Sequence, residues 1–282
     1  MTAATVDRIV QKISALPRLP MTSMRLMQLL SNPDSSVRDV VEVIRFDPVV
    51  TAELLKICNS ASIGLMRKIE SVTDAARLLG TNRIFQLVMA AHTRTMLGSS
   101  QDGYGIPAGA LWKHSVAVAL AVERLARSLA REQVGQAFTA GLLHDIGKII
   151  LNTSVGADYA KIAELVKQGG VSFCEAEKSI LGFTHAEIGA RVGERWELPE
   201  AIVRAIRYHH EPEFCEPHDA IVDLTHIADI VCLQIGVGGG DDAMYYRIDG
   251  AAMERQGLKL STLETVGAEV IVELKSIEKA FH

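Results

Sequence analysis

Cysteine is scarce in this chain, and the four present, Cys58, Cys174, Cys215 and Cys232, are scattered without a CxxC pair. They offer no disulfide framework, and the expectation is reduced, mostly buried thiols in a cytoplasmic protein. Long apolar runs are missing too. Val116 to Val122 is an extended apolar stretch, yet it falls far short of the ~20 residues that span a bilayer, so no membrane association is expected. No apolar leader follows Met1. The polar stretch Thr2-Ala3-Ala4-Thr5-Val6-Asp7-Arg8 predicts no signal peptide. Positive charge is not in excess: the formal net charge is -5 and no dense Lys/Arg run exists, which argues against a nucleic-acid partner. Finally, no segment sustains a period-two alternation and no Asn-Gly or Asp-Gly turn joins two β-like runs, so no sheet is expected.

What is present reads as helix nearly throughout, in a chain of 282 residues long enough for one large or two modest domains. Ser36 precedes a stripe of Val37, Val40, Val41 and Ile44, with Asp39 placed as in a capping box. Asp47-Pro48 predicts an N-cap with proline at N1, opening a helix through Val49, Val50, Leu54 and Ile57. Val266, Val270, Leu274 and Ile277 mark one face of a terminal helix. The fold class expected is all-α. Gly98-Ser99-Ser100-Gln101-Asp102-Gly103-Tyr104-Gly105-Ile106-Pro107 is rich in turn formers and is the linker candidate. It divides the chain into an N-terminal helical bundle over 1–98 and a helical domain over 108–282, packed against each other. Gly236, Gly238 to Gly240 and Asp241-Asp242 predict a flexible loop inside the second domain.

Chemistry concentrates in the last two thirds of the sequence, at His114, His144-Asp145, His185, His209-His210 and Asp229. Imidazole beside carboxylate suits Fe, Mn, Zn or Ni rather than Ca or Mg, and an aspartate can bridge two cations. The spacing is too long for a zinc finger, so any site must be assembled from separate elements. Each residue has a plainer reading. His114, in an apolar helix through Val116, Leu120 and Leu125, could be a hydrogen-bonded core residue. In Gly141-Leu142-Leu143-His144-Asp145-Ile146-Gly147-Lys148, Asp145 and Gly147 could cap a helix, although that leaves His144 unexplained; Gly147 would permit a turn or a close approach, and Lys148 supplies a phosphate-seeking charge. His185, after the N-cap candidate Thr184 with Glu187 three residues on, could be a solvated first-turn residue. His209 and His210 could complement the C-terminus of a helix bearing Ile202, Val203 and Ile206. Asp229 lies in a mostly apolar run, where burial would require a partner, and His226, one turn before it, is a candidate supporting residue.

The order His114, His144-Asp145, Asp229 resembles the H…HD…D signature of the HD-domain phosphohydrolases, over roughly residues 110 to 232. His185 and His209-His210 resemble the histidines that HD-GYP phosphodiesterases use for a second metal. Upstream, Leu16-Pro17-Arg18-Leu19-Pro20, Asp47-Pro48 with Leu54-Leu55, Cys58-Asn59-Ser60, Ile69-Glu70-Ser71-Val72, Ala75-Ala76 and Leu79-Gly80 resemble an HDOD domain, a regulatory relative of the HD enzymes found in bacterial signalling proteins. Gly182-Phe183-Thr184-His185-Ala186-Glu187-Ile188-Gly189 and Trp196-Glu197-Leu198-Pro199 extend the likeness over nearly the whole chain. Two departures from HD-GYP enzymes stand out. Glu211-Pro212-Glu213-Phe214-Cys215 follows the paired histidines in place of Gly-Tyr-Pro, and Ala110 stands where some of those enzymes carry a glutamate. Both argue against a trinuclear site.

The resemblance implies a metal centre of one or two divalent ions, with His114, His144, Asp145 and Asp229 around one and Asp145, His185 and His209 or His210 around the other. Three functions follow as expectations. The leading one is a regulatory module that binds a signalling protein or a small nucleotide ligand. The alternative is a metal-dependent phosphohydrolase acting on a nucleotide or cyclic nucleotide, in which Asp145 and Lys148 carry the chemistry. Between them lies a metal-binding sensor without turnover.

Overall fold

A computed structural model of the chain describes residues 9–281 apart from 10, 12, 17, 18, 31, 33, 61–67, 131, 132, 155 and 239–244. Pro17 and Arg18 of the N-terminal motif, and Gly239 to Asp242 of the glycine-rich loop, lie outside the described residues. The described chain is all-α. Its sole β-type pairing is an isolated antiparallel bridge between Gln101 and Ile106.

The first set of helices comprises α1 (Met21–Leu30), α2 (Val37–Arg45), α3 (Pro48–Cys58), α4 (Val72–Leu79) and α5 (Thr81–Leu97). Their boundaries follow from local chemistry. Ser36 and Asp39 form a reciprocal capping box at the start of α2. Asp47 caps α3 through the amides of Val49 and Val50, with Pro48 in the first turn, where its missing N–H is not needed. Beyond α3, the Asn59 amide accepts from Ile69 N at 2.7 Å and donates to Ile69 O at 2.8 Å, tying the end of α3 to the approach to α4.

The second set comprises α6 (Ala110–Leu129), α7 (Val134–Leu143), α8 (Ile146–Ser154), α9 (Gly156–Gly169), α10 (Phe173–Leu181), α11 (His185–Arg195), α12 (Glu200–Tyr208), α13 (Ala220–Gln234), α14 (Gly250–Arg255) and α15 (Leu260–Ala280). Helix α6 is central: it packs on α7, α13 and α15, and also meets α5. Val116, Val118, Leu120, Val122 and Leu125 along it are buried. Valine is a modest helix former, but each buried valine or leucine contributes about 1.5–3 kcal/mol, so packing decides the conformation. On the far side α8 packs on α11, α11 on α12, and α12 on both α7 and α13. The stripe Val266, Val270, Leu274 and Ile277 of α15 is buried as expected.

Among the described residues one hydrophobic cluster runs from Ile9 to Phe281. Polar ties cross between the two sets of helices: the Trp112 indole N–H donates to Ala90 O at 2.9 Å, and Gln86 donates to the buried Glu123 carboxylate. The segment between α5 and α6 is folded rather than loose. Gly109 N donates to Gly98 O at 2.8 Å, residues Asp102–Tyr104 form a 3-10 turn, and Tyr104 is wholly buried. All four cysteines are buried and free. No helix among the described residues is long and apolar enough to cross a membrane.

Candidate metal centre

Five structural elements deliver the histidines and aspartates to one place. His114 sits in the second turn of α6, where the chain enters the core. His144 is the C-cap of α7, and Asp145 occupies the turn before α8, which carries Lys148. His185 opens α11 behind a Thr184–Glu187 capping box. His209 is the C-cap of α12, followed by His210. Asp229 lies within α13. The plainer reading of His185 as a solvated first-turn residue does not hold: it is fully buried, as are His144 and His209, while Asp145 is 1% exposed and His114 and Asp229 are each 3% exposed.

The seven side chains form two adjoining groups, His114, His144 and Asp229 in one, and Asp145, His185, His209 and His210 in the other. In the first, His114 Nε2 is 3.0 Å and His144 Nε2 3.7 Å from Asp229 Oδ1. In the second, His185 Nε2 is 3.3 Å and His209 Nε2 3.8 Å from Asp145 Oδ1, and the Nε2 atoms of His185 and His210 are 3.0 Å apart. Asp145 joins the groups, because its Oδ2 lies 3.4 Å from His144 Nε2 and 4.0 Å from His114 Nε2. Donors bound to one cation at about 2.0–2.2 Å stand roughly 3 Å or more from one another, so these spacings fit ligation.

The outer nitrogens fix the rings. His114 Nδ1 donates to Val237 O at 3.0 Å, His144 Nδ1 to Gly141 O at 2.7 Å, and His209 Nδ1 to Ile206 O at 2.8 Å. Each therefore turns its Nε2 inward, the arrangement by which histidine ligands are oriented. Gly238, at φ 85°, lies against His114: a Cβ there would come within 2.4 Å of the ring. His144 Nε2, His209 Nε2 and Asp145 Oδ1 are buried without a hydrogen-bond partner. Three such atoms facing one another would be costly, and a shared cation satisfies all of them. The residues present fit a divalent ion.

The electrostatics divide the ligands: burial would lower His144, but the Asp145 and Asp229 carboxylates outweigh it and raise it. Burial would raise the Asp145 pKa, but the Lys148 ammonium and then His144 outweigh it and hold the carboxyl well below its usual range. Asp229 is likewise lowered against burial, by its hydrogen bond from His114 and by His144. Burial, together with His144, pushes His209 down to about 3, and burial with His209 and His185 pushes His210 well below its ordinary value. His185 is raised as well: burial would lower it, but the Glu177 carboxylate, by its charge and its hydrogen bond, and the adjacent Asp145 carboxylate lift it to about 9.

Lys148 Nζ contacts Asp145 Oδ2 at 2.7 Å and lies 5.6 Å over the Tyr104 ring. His226 supports His209 rather than Asp229: its Nδ1 donates to His209 O at 2.7 Å, and its Nε2 accepts from Asp249 N at 2.9 Å. Two residues escaped the sequence reading. Glu177 of α10 is fully buried and accepts from both His185 Nδ1 and His185 N, and Tyr104 donates to its other oxygen. The available signal was positional: Glu177 falls four residues after Phe173 and four before Leu181, both buried, so it sits on the apolar face of α10.

Fold and site together define an all-helical protein with a buried histidine–carboxylate centre suited to a divalent cation. Residues 16–212 match the HDOD domain, and the chain belongs to that family. A curated relative from Treponema pallidum (strain Nichols), an uncharacterized protein, is 24% identical over 231 residues, which are 81% of this chain and 44% of the relative. The chain thus spans less than half of that relative's length. A crystal structure from Marinobacter aquaeolei VT8, provisionally assigned to signal transduction, superposes with a TM-score of 0.77 at 25% identity, covering 98% of this chain and 64% of that one. A Shewanella amazonensis SB2B structure, provisionally assigned as a phosphohydrolase, has a TM-score of 0.68 at 24% identity and covers 97% of both chains. That second likeness is one of fold.

Proposed function

We propose that this chain is a signal-transduction module whose buried centre holds one or two divalent ions and which acts by binding, chiefly of a signalling protein, without turnover. The space above the centre carries this reading. The cavity lined by Ile106, Ala110, Leu111, Lys148, Leu233 and Tyr246 together with His114, Asp145, His210 and Asp229 measures about 10 Å³. That holds about one water, whereas pockets that take small ligands run to roughly 300–1,000 Å³. Tyr246 contributes to the closure by stacking on His210, ring centroids 4.5 Å apart at 11°.

A bound ion supplies positive charge to two buried carboxylates and Lewis acidity to any oxygen it meets. The residues that would hold it come from α6, the α7–α8 turn, α11, α12 and α13. Occupancy would therefore set how these helices stand relative to one another, which is a route by which a small binding event alters a surface. A small nucleotide, if it is the signal, would bind away from the closed centre.

A second reading, metal-dependent phosphohydrolysis, is favoured by Lys148, whose side chain is 13% exposed beside Asp145 and could reach a phosphate oxygen. The test is metal analysis of the purified full chain, then a hydrolysis screen with added Mn²⁺ over cyclic dinucleotides, cyclic mononucleotides and nucleoside phosphates. The expected result is retained metal and no metal-stimulated hydrolysis. Robust hydrolysis by wild type, lost in Asp145→Ala, would establish the second reading instead.

A further inference from the structure

Among the histidines of the centre, His185 is held differently. The outer nitrogens of His114, His144 and His209 donate to backbone carbonyls, but that of His185 donates to the Glu177 carboxylate at 2.8 Å. The same Glu177 oxygen accepts from the His185 backbone N–H at 2.7 Å. One carboxylate thus fixes both where α11 begins and how its first ring is turned. A carboxylate partner also makes the inner nitrogen a stronger donor to a cation than a carbonyl partner does.

Glu177 is in turn held from outside the C-terminal helices. Its other oxygen accepts from the Tyr104 hydroxyl, which comes from the segment between α5 and α6. The Tyr104 ring is clamped by Tyr159 and Phe173, at centroid distances of 5.0 and 4.9 Å, and stands edge-on to His185 at 6.1 Å. The segment itself is pinned: Gly103 N donates to Asn152 Oδ1 at 3.0 Å, and Gln101 N donates to Ile106 O at 2.8 Å. A chain of direct contacts therefore leads from the end of α5, through Tyr104 and Glu177, to a metal-facing nitrogen.

We infer that Tyr104 and Glu177 are positioning residues that hold His185 Nε2 towards Asp145 and His210, and that retention of an ion by the Asp145–His185–His209–His210 group depends on the 98–109 segment. The inference rests on the metal-centre reading above and adds its regulation. Any partner or ligand that displaces this segment would loosen one ion and leave the other, held by His114, His144 and Asp229, in place.

The experiment titrates metal-free full-length wild type, Tyr104→Phe and Glu177→Gln with Mn²⁺ alone by calorimetry, with melting temperatures recorded for each metal-free protein. Tyr104→Phe keeps the clamped ring and removes only the hydroxyl, so it decides the matter even if Glu177→Gln folds poorly. Wild type is expected to take up two ions. In both variants one ion should weaken by about 10–100-fold while the other stays within about twofold. Two-ion binding at wild-type affinities in both variants would overturn the inference and leave the metal centre standing. Equal weakening of both ions would also overturn it, since that reports a generally loosened fold. Fewer than two ions in wild type itself would remove the two-ion centre, and this inference with it.

Discussion

Asp145 and Lys148, three residues apart, are in contact at 2.7 Å, the carboxylate buried and the ammonium reaching towards the surface. The oxygen that Lys148 engages is the one facing His114 and His144. Lysine thus competes with a cation for that oxygen and repels it across a few ångströms of low-dielectric interior. Lys148→Met should tighten Mn²⁺ binding by roughly tenfold, an electrostatic change of about 1.4 kcal/mol, read by calorimetry. Weaker binding would mean that Lys148 serves to aim Asp145 rather than to oppose the ion.

Removing the aspartate itself has the opposite consequence. Asp145 offers one oxygen to each group, so Asp145→Asn withdraws charge from both at once with almost no change of shape. Metal retained after desalting should fall to background, as measured by elemental analysis, with the helical circular dichroism preserved. A chelator should lower the melting temperature of wild type but not of the variant. An ion at a hundred times its Kd stabilises a fold by about 2.7 kcal/mol, well within what calorimetry resolves.

The parts of this architecture that were legible in sequence are those fixed by neighbours in sequence. Ser36 with Asp39, Asp47 with Pro48, and Thr184 with Glu187 declare helix starts because each cap closes within three residues. The convergence of His114, His144, His185 and His209 is tertiary. No spacing rule yields it, and it was reached through family resemblance. The same limit explains what was missed. Composition marked 98–107 as turn-rich, and it does turn, but composition cannot report that Tyr104 is buried against Phe173 and Glu177. His226 was placed with Asp229 because they share one helical turn, whereas its partner, the carbonyl of His209, comes from another helix. Gly147 was read as permitting a turn or a close approach, and the structure has the close approach, inside α8.

That approach gives a stability test. A Cβ on Gly147 would lie 1.9 Å from the His185 carbonyl oxygen and 2.7 Å from Gly189 N. Both are backbone atoms, so no rotamer change relieves the clash, and α8 must move away from α11. Gly147→Ala should destabilise the chain by about 1–3 kcal/mol and weaken Mn²⁺ binding, because the displaced carbonyl belongs to a ligand. Gly250, in α14, has nothing within 4 Å of its Cβ position. Gly250→Ala should be neutral or stabilising by up to about 1 kcal/mol. Equal urea midpoints for wild type and the Gly147 variant would show that the helices yield without cost.

Asp47 provides a pH test far from the metal ligands. Its carboxylate accepts from Val49 N at 3.2 Å and Val50 N at 3.1 Å, and from the Thr22 hydroxyl at 2.6 Å, linking α3 to α1. Burial would raise its pKa, but the Thr22 hydroxyl and the Val50 amide, helped by His92 and the Val49 amide, outweigh it and hold the group below its ordinary value. A carboxylate depressed in the fold adds stability that is present above its unfolded value and disappears as pH falls through the folded one. Asp47→Ala, which removes the cap altogether, should cost about 1–2 kcal/mol near neutral pH. Asp47→Asn keeps a capping oxygen but not the charge, so it should cost less. Its gap from wild type in urea denaturation should close as pH is lowered from about 6 to about 2. A gap that stays constant over that range would assign the contribution to shape and hydrogen bonding rather than to ionisation.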